Sequence, residues 1–213
     1  MIAVVTPEKI QLSAGTLVHL LGTWTDYQVL IEQRGDNANP RIKYRPGEIL
    51  LMSPLPKHGR EANVIADLIK VLLDHLGQKY EAFTPITMNL PEISGIEPDY
   101  SFYITNWEVG IGKDRIDWRN EPPPDLALEI DFTSYTDVND YLPYKVPEVW
   151  IYKKNQLLIY TLETDGYKVV SSSRYFPNLN LHEIVAEYLE LARKNSSSVA
   201  MGILRKHFPA DNL

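Results

Sequence analysis

Two acidic residues stand where a carboxylate is hard to keep. Asp99 follows Pro98 at the head of an apolar segment, PDYSFYI, and Glu129 lies inside DLALEIDF, a nearly continuous apolar run of the kind found at the centre of a sheet. A charge in such a place opposes folding unless it is paired or bound to a cation. Asp131, two residues beyond Glu129, projects from the same face of that strand. Oxygen ligands on two neighbouring strands suit a hard ion such as Mg²⁺, which keeps several waters and bridges to phosphate. Such an ion lowers the pKa of a bound water and neutralises charge developing on a phosphate. The alternative is a carboxylate capped by backbone donors at a strand end or paired with Arg or Lys. For Asp99 alone both readings stay open, whereas Glu129 with Asp131 in one apolar strand argues for a site.

These acids need a framework, and the chain supplies an α/β one. The segment TWTDYQVLIEQRG predicts a short helix, with Thr23 and Asp26 at capping-box spacing and Gly35 as its stop. After the turn-rich GDNANPR, the pieces RIKYRPG and EILLMSP read as a hairpin around Gly47. Val64, Ile65, Leu68, Ile69, Leu72, Leu73 and Leu76 then recur at helical spacing, with Arg60, Glu61, Asp67, Lys70 and Asp74 off the stripe and Gly77 at its end. That helix packs on a sheet.

KYEAFTPITMNL, PDYSFYI, DLALEIDF, PEVWIYKKN and QLLIYTLE each read as one strand, and TDGYKVVSS as another, reached through a turn at Thr164, Asp165 and Gly166. LHEIVAEYLELARK and SSSVAMGILRKHF read as two closing helices, the second begun by a serine cap. MIAVVTPEKIQL shows no period. The expectation is one domain over residues 1–213, with an extension over about 1–22, a central mixed sheet flanked by helices, and C-terminal helices over about 181–213.

Composition limits the function classes. A hydrophobic content of 44% is enough for a core, and the absence of cysteine removes disulfides, thiolate metal sites and a cysteine nucleophile. With no run of about 18 apolar residues and no signal-peptide pattern, the expectation is a cytoplasmic protein with no membrane partner. The net charge of −7 argues against a module that only grips DNA, because phosphate neutralisation supplies most of that affinity. It argues less against an enzyme that reaches DNA through a local basic groove and a bridging ion.

His58, beside Pro56 and Gly59 at a helix start, reads as an exposed neighbour of the cap, with phosphate contact as the alternative. His19, His75, His182 and His207 show no zinc spacing. Lys113, Arg115, Arg119, Lys153 and Lys154 read as solvated charges or as a basic rim. Trp24, Trp107, Trp118 and Trp150 read as packing residues. No phosphate-binding glycine loop, nucleophile elbow or dinucleotide fingerprint is present.

EPDYSFYI, PPPDLALEID followed by Thr133 and Ser134, and VPEVWIY resemble the Uma-type endonucleases, a bacterial family placed in the PD-(D/E)XK nuclease superfamily. The resemblance runs from about Trp24 to Tyr160 and includes TWTDYQ, GEILLMSP followed by His58, and NWEVGIGKDRID. It implies a restriction-endonuclease-like core and Mg²⁺- or Mn²⁺-dependent cleavage of phosphodiesters in DNA. It gives Asp99 the place of the aspartate in the "PD" element and Glu129 that of the second acid. Glu48 and Glu61 become candidates for an accessory acidic ligand, with Glu48 preferred. The superfamily lysine belongs two residues after the second acid, where this chain has Asp131. The family often carries it instead on the segment before the VPEVW-like strand, which here reads TSYTDVNDYLPYK and leaves Lys145. Asp131 and Lys145 are therefore both candidates for the missing role. Nucleases of this fold that cut both strands commonly act as two-fold dimers, so a homodimer is expected. A descendant of the fold that binds or regulates without cutting is the competing expectation.

Overall fold

A computed structural model describes residues 12–37, 39–132 and 136–210. MIAVVTPEKIQ and the Thr133–Ser134 pair of the family-like string lie outside the described residues. The chain divides into two compact units, Met1–Lys57 with Thr87–Glu97, and His58–Ile86 with Pro98–Leu213.

The first unit is an antiparallel sheet with one helix. Its strands are β1 (Leu17–Gly22), β2 (Arg41–Arg45), β3 (Gly47–Met52), β5 (Met88–Leu90) and β6 (Ser94–Ile96), in the order β1-β3-β2-β6-β5. Arg45 pairs with Glu48, so Pro46 and Gly47 make the two-residue turn expected there, with Gly47 at φ +86°. Helix α1 (Trp24–Arg34) starts with the capping box read in the sequence: the Thr23 side chain accepts from the Asp26 N–H, and the Asp26 carboxylate accepts from the Thr23 N–H. Tyr27, Ile42, Tyr44, Ile49 and Leu51 form its core. Gly95 has no room for a side chain, since a Cβ would lie 2.4 Å from the Tyr27 ring. Strand β1 arises in the stretch expected to be an extension. LVHLLG pairs on one side only and alternates weakly between half-buried and exposed, so its apolar residues show no clean period.

The second unit holds the acids. Its sheet runs β11 (Gly166–Val170), β10 (Gln156–Glu163), β9 (Glu148–Lys153), β8 (Leu126–Asp131), β7 (Tyr100–Tyr103), β4 (Glu81–Phe83). Every pair is antiparallel except β8 with β9. That one parallel pair needs a crossover, which residues 132–147 provide with a 3₁₀ helix at Val138–Tyr144. Helix α2 (Pro56–His75) opens with a proline, which the first turn tolerates. It sets Leu68, Ile69 and Leu72, all fully buried, into a core shared with Leu126, Leu128 and Trp150. Truncating one of these leucines to alanine costs about 2–5 kcal/mol. Helices α3 (Leu181–Lys194) and α4 (Ser197–His207) complete that core through Val185, Tyr188, Leu189 and Leu204.

KYEAFTPITMNL, expected as one strand, is two: β4 and β5 belong to different sheets, and the chain bends at Pro85 between them. No helix among the described residues is long and apolar enough to cross a membrane.

Buried carboxylates also pin the strand ends. Asp125 accepts from the N–H groups of Ile104, Thr105 and Asn106 at 2.7, 2.9 and 3.3 Å, which ties the exit of β7 to the entry of β8. Glu148, wholly buried at the start of β9, accepts from Trp150 Nε1, Ser173 Oγ and the Arg174 N–H. Burial raises its carboxyl above the usual range, against the three hydrogen bonds that pull it down.

Candidate functional site

Tyr100 on β7 pairs with Leu128 on β8. Asp99 immediately precedes Tyr100, and Glu129 immediately follows Leu128. Asp99 is 1% exposed. Its Oδ2 accepts from the Ile130 N–H at 2.7 Å, and His58 Nε2 donates to both carboxylate oxygens, at 2.8 and 2.9 Å. Glu129 is 6% exposed and accepts from the Tyr141 hydroxyl at 2.6 Å. Burial above all, then the charge and hydrogen bond of Glu129 and the charges of Asp99 and Asp140, hold the Tyr141 phenol well above its ordinary pKa. It therefore stays a donor. Tyr141 and the buried Asp140 both come from the crossover.

Asp131, at the end of β8, lies beside Lys153 in the parallel β8–β9 register. Lys153 Nζ is 3.0 Å from Asp131 Oδ2, the carboxylate side chain being 1% and the lysine side chain 26% exposed. The Thr136 N–H donates to the same oxygen at 3.2 Å. Four acids, Asp99, Glu129, Asp131 and Asp140, thus belong to the end of β8 and to the elements on either side of it.

The Uma2 family, described as "Putative restriction endonuclease", matches residues 24–194. The chain belongs to the Uma2 family. Among solved structures it is similar to the crystal structure of a "putative nuclease belonging to DUF820" from Anabaena variabilis ATCC 29413, at 15% identity and a TM-score of 0.54, covering 86% of this chain and 99% of that one. At that identity the likeness shows the fold. A search of curated proteins finds no match.

The other sequence candidates sit differently in this Uma2 chain. Glu61, buried on α2, is held by Arg193 at 2.7 and 3.1 Å, and Arg193 also donates to Tyr152 Oη and Asn155 Oδ1. Glu48 lies in the first unit, 2.8 Å from His19 Nδ1 and 3.6 Å from Arg45. Lys145 is exposed and caps the 3₁₀ helix in the left-handed conformation, φ +57°, its backbone N–H donating to Leu142. Lys113 pairs with Glu121, while Arg115, Arg119 and Lys154 are exposed. Tyr135, in the TSYTDVNDYLPYK segment, lies outside the described residues.

His58 corrects its expectation. It is 5% exposed, with Phe132 edge-on to its ring, because the first turn of α2 brings it to Asp99. The proline beside it marked a helix start, but nothing in the sequence marked its partner. Tyr141 carried no signal either, being one aromatic residue in an irregular segment.

Among the described residues, no three or more His, Asp or Glu side chains are grouped so as to hold a metal ion. Mg²⁺ asks for one or two carboxylates and completes its shell with water and phosphate oxygens. Asp99 and Glu129 fit that smaller demand.

Proposed function

We propose that this Uma2 protein is a divalent-metal-dependent endonuclease that hydrolyses phosphodiester bonds in DNA. The observation that supports the reading is the pair of nearly buried carboxylates, Asp99 just before β7 and Glu129 on the neighbouring β8, with Asp99 accepting from the N–H of Ile130 next to Glu129. In the reading, Asp99 and Glu129 would hold Mg²⁺ or Mn²⁺, and Asp131 would assist at the border. The ion supplies charge neutralisation and a bound water of lowered pKa. The protein's own groups orient the ligands: the Ile130 N–H and His58 aim Asp99, and the Tyr141 hydroxyl fixes one oxygen of Glu129. An ion held by Asp99 would compete with His58, which contacts both of its carboxylate oxygens. Two copies related by a two-fold axis would present one such site to each strand of a duplex, in the cytoplasm where the DNA lies.

The competing reading is a nuclease-fold protein that binds or regulates. The carboxylate at position 131 and the net charge of −7 speak for it, and the retained acid pair speaks against it. Incubation of purified protein with plasmid and with single-stranded DNA, in Mg²⁺ and in Mn²⁺, separates the two. Cleavage is expected, and Asp99→Asn should lower it by at least about 10²-fold. No cleavage of either substrate with either ion leaves the binding protein as the better reading.

A further inference from the structure

The end of β8 gathers negative charge, and a phosphodiester is itself an anion. Any substrate brought there needs a fixed positive charge besides whatever ion the acids hold. The structure supplies one from the neighbouring strand. We propose that Lys153 is a catalytic residue, its ammonium hydrogen-bonding a non-bridging oxygen of the phosphate under attack; the inference rests on the nuclease reading above.

Lys153 and Asp131 are register partners on β9 and β8, so the backbone ladder sets the position of the ammonium. The ion pair spans burial as well as strands, with the carboxylate inside and the amine at the solvent border. A substrate can therefore reach the lysine without displacing Asp131. An ammonium carries three donors, and Asp131 takes one.

The strand end itself is held. Lys153 pairs with Gln156 across β9 and β10, and the turn between them, Lys154 and Asn155, is tied back by the Arg193 hydrogen bond to Asn155. A functional group on a supported strand end is positioned better than one on a loop. Lys145, by contrast, is exposed at the left-handed cap of the 3₁₀ helix.

In the reaction, water oxygen bonds to phosphorus and the bond from phosphorus to the leaving sugar oxygen breaks. The sugar oxygen departs as an alcohol and the water's remaining proton goes to solvent. Charge builds on the non-bridging oxygens meanwhile, and Lys153 balances it without giving up a proton. Asp131 acts through Lys153 as its positioning residue.

The test compares the full-length wild type with K153M, K153R and the double variant D131N/K153M, using plasmid in Mn²⁺. K153M should lose about 10²- to 10³-fold in kcat. K153R, which keeps a cation beside Asp131, should recover part of it. The double variant removes the buried negative charge left without its ammonium, so it should regain any melting temperature lost in K153M while staying as slow. Full recovery of rate in the double variant would show that Lys153 only neutralises Asp131, and an unchanged K153M would also overturn the proposal.

A readout without turnover is the binding of a duplex oligonucleotide in Ca²⁺. The slope of log K against log salt concentration should fall by about 0.9 in K153M, the loss of one phosphate contact. An unchanged slope removes the contact. A wild type that cuts no DNA with either metal overturns the nuclease reading and the catalytic role with it, whereas a cutting wild type with an equally active K153M overturns Lys153 alone.

Discussion

Three of the four acids near the end of β8 have a named donor: His58 and the Ile130 N–H for Asp99, Tyr141 for Glu129, Lys153 and the Thr136 N–H for Asp131. A buried charge whose donor is removed is worse off than one that never had a charge, so changes at the donors and at the acids are not equivalent. The same physics reaches a residue away from the site. Burial, then the charge and hydrogen bond of Asp74, push the Tyr80 phenol from 10.0 up to about 12. The folded value is the higher one, so the stabilisation from a protonated Tyr80 is complete below pH 10. It is lost as the pH rises from 10 to about 12. Tyr80→Phe should therefore flatten the fall of melting temperature across that interval, as thermal denaturation at stepped alkaline pH would record.

Among the elements, the two-residue turn joining β9 to β10 carries visible strain. Lys154 and Asn155 sit at φ +51° and +60°, where a side chain costs about 1–2 kcal/mol and a hairpin turn of this hand favours Asn or Gly. Lys154→Gly gives back about 0.5–1 kcal/mol of that through the looser unfolded chain. The net expectation is a gain of up to about 1 kcal/mol in chemical denaturation, with cleavage unchanged.

What could be read from sequence follows the same division between local and non-local physics. The α2 stripe, the capping box of α1, the Gly47 hairpin and the apolar strand bearing Glu129 are local patterns, and each is found where its residues predict it. Strand β1 has too faint an alternation to declare itself, and β4 and β5 part company at a bend that no period marks. The pairing of Asp131 with Lys153 depends on a parallel register between segments joined by an irregular crossover, and the bond from His58 to Asp99 on where a helix start falls beside a strand. Neither is written in any single stretch of chain. The sequence could therefore nominate the acids but not the residues that hold them.

For the molecule as a whole, the proposed nuclease reading would make a cation held by the acids of the β8 end a stabilising partner. Mn²⁺ at about 100 times its dissociation constant adds about 2.7 kcal/mol to the folded state, which for a chain of this length raises the melting temperature by roughly 5–10 °C. Asp99→Asn should remove most of that rise in thermal denaturation, and an equal rise in the variant would place the ion elsewhere. The crossover between β8 and β9 has a consequence of another kind. It hangs from two strands locked by Asp125, Glu148 and their backbone partners, and it brings the Tyr141 hydroxyl to Glu129. Insertions, deletions and replacements between residues 132 and 147 can thus alter what surrounds Glu129 while the strands beneath keep their order. Descent can preserve such a scaffold through long divergence and still retune, retarget or silence its chemistry by editing one short bridge of chain.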